Sequence, residues 1–103
     1  MTVAETYLTA LQGKIFKLLP MREASDQGVD NHLDEYIDNL CDNCKGAFDC
    51  HPELSSIREM AEVQSNIWAL KANLQCDFAK WRSTVLRSTR LIQTVLTRDY
   101  GEV

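Results

Sequence analysis

The stretch NHLDEYIDNLCDNCKGAF, residues 31–48, decides how the rest of the chain is read. Leu33, Tyr36, Ile37, Leu40, Cys44, Ala47 and Phe48 recur at three- and four-residue steps and so share one side of an α-helix. Asp34, Glu35, Asp38 and Asp42 are centred roughly 150 to 180° from that stripe at 100° per residue. A strand would need alternation at every second residue, which is absent here. The spacing predicts an amphipathic helix with Asn31 as its cap, one face apolar and the other acidic.

The same period extends in both directions. Thr2 and Glu5 stand in capping-box spacing ahead of Tyr7, Leu8, Leu11, Ile15, Leu18 and Leu19, predicting a first helix that stops at Pro20. Residues 20–30, with Pro20, Ser25, Asp26, Gly28 and Asp30, read as a polar connection. After a turn marked by Gly46, Asp49, His51 and Pro52, Ser56 and Glu59 repeat the capping-box spacing. They open a third helix carrying Ile57, Met60, Ala61, Val63, Ile67, Trp68, Leu70 and Leu74. A break at 73–77 offers Asp77 as cap of a fourth helix, in which Phe78, Trp81, Val85, Ile92, Val95 and Leu96 follow near-heptad steps until Gly101. Trp68 and Trp81 are expected as core anchors. The predicted fold is all-α: a single domain over residues 1–103, built as an antiparallel four-helix bundle.

Composition narrows the function classes. With 45% hydrophobic and 25% charged residues, the 103-residue chain has the balance of a globular protein. A net charge of −4 and a pI near 5.0 supply no bulk attraction to nucleic acid or anionic membranes, so nucleic acid is a disfavoured partner. No basic segment leads into an apolar run, and no run is long enough to span a bilayer. Cytoplasmic localisation is expected, with Cys41, Cys44, Cys50 and Cys76 as free thiols or metal ligands rather than disulfides.

Charge is sorted along the chain. Residues 23–53 hold Glu23, Asp26, Asp30, Asp34, Glu35, Asp38, Asp42, Asp49 and Glu53 against the single Lys45, whereas residues 78–98 hold Lys80, Arg82, Arg87, Arg90 and Arg98 and no acid. On a helical wheel Lys80, Arg87 and Arg98 fall within about 20° of one another, with Arg90 beside them and Leu91 inside the stripe. An apolar residue among arginines is the kind of position that contacts a partner. Either the acidic and basic faces neutralise each other in the bundle, or they are offered outward.

Two other constellations carry possible chemistry. Cys41 and Cys44, with two residues between them, followed by Cys50 and His51, supply the sulfur and nitrogen donors of a tetrahedral zinc site, although Cys44 also falls in the centre of an apolar stripe. Glu35 with Asp38, and Glu59 with Glu62, form helical acid pairs. Such pairs facing across a bundle hold Mg²⁺ against phosphates in the all-α nucleotide pyrophosphohydrolases, which the chain resembles in its helical setting and length. That resemblance implies a Mg²⁺-dependent hydrolase whose metal is held by those carboxylates. No glycine-rich phosphate loop or nucleophile constellation accompanies them.

The function expected from the sequence is that of a non-catalytic helical protein binding another protein through Lys80, Arg87, Arg90, Leu91 and Arg98, and through Asp34, Glu35, Asp38 and Asp42. Size and acidity associate such chains with accessory and inhibitory proteins of phages and mobile elements. A homodimer is a further expected partnership, given the wide apolar faces. No cofactor is expected; the alternatives are the zinc module on Cys41, Cys44, Cys50 and His51, and the pyrophosphohydrolase-like enzyme.

Overall fold

The computed structural model describes residues 2–101, and over them the chain is all-α with no strand. The elements are α1 (Val3–Phe16), α2 (Leu18–Asp26), α3 (Leu33–Cys50), α4 (Pro52–Ser55), α5 (Arg58–Ala72) and α6 (Phe78–Asp99). Four helices were expected, and the two short additions have local causes.

Pro20 does not end the first helix. Lys17, with φ −63° and ψ −19°, keeps the chain in the right-handed region, so α2 begins one residue after α1 ends. Pro20 sits in the first turn of α2, where a backbone N–H has no intrahelical acceptor to lose. The connection read at 20–30 therefore contracts to 27–32, turning at Gly28, whose φ of +92° suits a residue without Cβ. Asn31 does not cap α3; its Nδ2 donates to the Met21 carbonyl at 2.8 Å, tying the connection back to α2. His32 takes the cap position with φ 55° and ψ 41°, a left-handed conformation unusual for a residue with a side chain.

The turn predicted from Gly46 onward is also shorter than expected. α3 runs through Gly46 and Asp49 to Cys50, and Pro52 opens α4, where its fixed φ suits a first helical position. Ser56 does not cap α5 but ends α4, its hydroxyl donating to the Glu53 carbonyl at 2.9 Å, and Ile57 precedes α5 without a side-chain cap. The other two predicted caps are present. Thr2 Oγ1 accepts from the Glu5 amide at 3.0 Å, and Asp77 Oδ1 accepts from the Ala79 amide at 3.3 Å.

The apolar stripes meet in one contiguous core. Leu8, Leu11 and Ile15 of α1, Ile37 and Cys44 of α3, Met60, Val63 and Ile67 of α5, and Val85, Ile92 and Val95 of α6 are all fully or almost fully buried. Burial of each larger aliphatic side chain contributes about 1.5 to 3 kcal/mol before entropy is subtracted. α1 and α5 each pack against both α3 and α6, which leaves α3 and α6 on opposite sides of the core. Trp81 is buried and donates from Nε1 to the Leu70 carbonyl at 3.1 Å. Trp68 is not a core anchor; it is 45% exposed, with Lys71 Nζ 5.3 Å from its ring centre. The buried stripe of α5 is thus Met60, Val63, Ile67 and Leu70, narrower than predicted.

Candidate functional site

The opposite placement of α3 and α6 determines what their charges meet. Arg87 donates from Nε and Nη2 to Glu62 at 2.6 and 3.0 Å, and Arg98 reaches Glu59 from Nη1 and Nη2 at 2.6 and 3.1 Å. Both acids belong to α5, not α3. Arg98 also holds Asp99 at the end of its own helix. The guanidinium hydrogen bonds draw the Glu59 and Glu62 carboxyls below their ordinary range. Among the described residues, Lys80, Arg82 and Arg90 have no acidic partner.

On α3, Asp38 takes Lys71 of α5 at 2.5 Å, and hydrogen bonding to that carboxylate raises the lysine's pKa. Glu35 lies 3.9 Å from His32 Nδ1. Asp34 and Asp42 are exposed and form no ion pair among the described residues. α5 therefore engages one cation-bearing and one acid-bearing neighbour, and the remaining charges of α3 and α6 point to water on different sides of the molecule.

Leu91 departs from its expected role. It is half-buried and packs against the core rather than standing exposed within the basic stripe. A wheel angle gave its direction; the breadth of the seam beside it, a tertiary quantity, covers it. The hydroxyls of α6 also turn inward on the helix. Ser83, Thr84, Ser88 and Thr94 donate to carbonyls four residues back at 2.8 to 3.3 Å, and Thr89 donates to the Leu86 carbonyl at 2.9 Å.

The zinc candidates are not brought together. Cys41 and Cys44 are buried, Cys50 is exposed, and His51 turns its Nδ1 to Glu53 at 3.5 Å. Among the described residues no group of three or more His, Cys, Asp or Glu side chains is arranged to hold a metal ion. Cys44 faces Tyr7 in the core, and burial pushes its thiol up to about 11. The acids read as Mg²⁺ ligands form no such group among the described residues either, and Asp38, Glu59 and Glu62 each hold a cation of this chain instead.

A buried charged residue also had no place in the sequence reading. Arg22 is 5% exposed; its Nη2 donates to the Cys76 carbonyl, and its guanidinium carbon lies 5.0 Å from the Trp81 ring centre and 5.6 Å from that of Phe78. The available signal was its place four residues after Leu18, continuing the apolar period past Pro20.

Comparison of the chain with protein-family models, with curated proteins and with solved structures found no match.

Proposed function

We propose that this chain is a non-catalytic helical interaction protein that binds another protein through its charged helix faces. The observation that carries this reading is that those faces do not meet: α3 and α6 lie on opposite sides of the core, and each spends only part of its charge on α5. What remains is a basic set, Lys80, Arg82 and Arg90, and an acidic set, Asp34, Glu35 and Asp42. Separated surface potentials of this kind steer partners and select among them. Arg87 and Arg98 contribute less than the sequence suggests, since their bidentate pairs must be broken before they reach an outside acid.

The reading includes an antiparallel four-helix bundle made by α1, α3, α5 and α6, extended by α2 and α4. It is supported by Tyr7 facing Cys44 while Lys14 meets Tyr36, and by Leu70 meeting Trp81 while Glu62 meets Arg87. A cytoplasmic home belongs to the same proposal; no described helix is long and apolar enough to cross a membrane.

The test is crosslinking capture from lysate of the source cell with the wild type and two charge-reversed variants. One variant carries Glu at Lys80, Arg82 and Arg90; the other carries Lys at Asp34, Glu35 and Asp42. We expect a protein recovered by the wild type to be lost with one variant whose helical circular dichroism is unchanged. Identical recovery by all three would sink the proposal, and a concentration-dependent rise in mass of the purified chain would identify a second copy as the partner.

A further inference from the structure

Beside α2 and the start of α3 lies a cavity of about 310 Å³, within the size range of small-ligand sites. Two features converge on it. First, Arg22 lines it with a buried guanidinium whose Nε and Nη1 have no hydrogen-bond acceptor; the nearest carboxylate, Asp26, stands 3.6 Å from Nε, too far to accept well. A buried cation with idle donors is costly, and an added acceptor offsets that cost. Second, the 18-residue helix α3 begins at this wall with no side chain capping it, so its first amides and the positive end of its dipole are open to an anion.

The rim has the opposite sign. Asp26, Asp30 and Asp34 all line the cavity, and the Asp26 and Asp30 side chains are 56% and 86% exposed. Asp30 also accepts from the His32 amide at 3.4 Å and lies 3.9 Å from the His32 imidazole. Three carboxylates around a mouth repel a simple anion or a dianion; they attract a cationic group. An anion-seeking floor beneath a cation-seeking rim fits a ligand that carries both charges a few bonds apart.

We propose that this cavity binds a small zwitterion of the α-amino acid class. Its carboxylate takes the place of Asp26 at Arg22 and lies against the first amides of α3, and its ammonium group meets Asp30 and Asp34. Asp26, mostly exposed, swings into solvent as the ligand enters.

The probes are glycine and L-lysine, with acetate, ethylamine and N-acetylglycine as single-charge controls, titrated into the isotope-labelled protein and followed by amide nuclear magnetic resonance. We expect saturable shifts at Asp34, Glu35 and the Arg22 Nε–H with an amino acid, and binding at least about tenfold weaker for each control. Asp30→Asn, a change at an exposed side chain, should weaken the amino acid about tenfold while acetate, freed from one repelling carboxylate, binds no more weakly, and Arg22→Met should abolish both. Absence of any saturable shift with both amino acids overturns the proposal, as does binding of acetate or N-acetylglycine equal to that of glycine. Undiminished binding to Arg22→Met overturns it by a separate route.

Discussion

Along the α5–α6 seam, four charged side chains meet in two bidentate pairs at the surface, above a continuous apolar contact that includes Trp81, Val85 and Ile92. At the α2–α3 junction, a single guanidinium is buried with two of its nitrogens idle, the following helix is uncapped, and the residue at its cap is left-handed. The seam places charge where water screens it and apolar surface where water is excluded. The junction does the reverse. Folded domains are stable by only about 5 to 15 kcal/mol, so costly local arrangements are few and concentrate where a protein does something other than stay folded.

The largest effect that tests this contrast is at the seam. Trp81→Ala should destabilise by about 3 to 5 kcal/mol in urea unfolding, because it opens a cavity and strips the Leu70 carbonyl of its donor. Arg22→Met, which replaces the buried charge by an apolar chain of similar length, should change stability by only about 1 kcal/mol in either direction. A loss at Arg22 as large as that at Trp81 would break the contrast, since the charge would then be holding the fold.

A smaller effect sharpens it. His32→Gly removes the left-handed penalty but adds backbone entropy to the unfolded chain, for a net gain of about 0.5 kcal/mol in the same assay. A loss instead would mean that the imidazole contacts to Asp30 and Glu35 outweigh the strain.

The smallest effect is the pH dependence of the seam. Glu59 and Glu62 have folded pKa values below their unfolded ones, so their contribution is complete above the unfolded carboxylate range and fades as pH falls through the lower folded values. Melting temperatures followed from neutral pH into the acid range should fall less steeply for Arg87→Gln and Arg98→Gln than for the wild type. Equal slopes would show that these exposed pairs are screened out entirely.

What the sequence makes legible follows the range of the forces involved. α6 can be read nearly to its last residue, because the Asp77 cap and the apolar repeat act within a turn or two. The acidic face of α3 is equally local. α2 is obscured because a proline looks the same in sequence whether it ends one helix or sits in the first turn of the next. Trp68 is misread for a different reason: membership of an apolar arc does not reveal how much of that arc a neighbour covers. The pairing of Arg87 and Arg98 with α5 depends on which helices are adjacent, information that no single segment carries. Arg22 is hardest of all, because its surroundings come from α2, α6 and the 73–77 connection together.

The inward-turned hydroxyls of α6 change how that helix would look to a partner. With the Ser83 and Thr94 protons committed to carbonyls of their own helix, those two hydroxyls on the exposed side of α6 near Arg90 remain as acceptors only. A sequence rich in serine and threonine thereby offers fewer free donors on this helix than its composition implies, and the arginines and Lys80 supply most of the donors that remain.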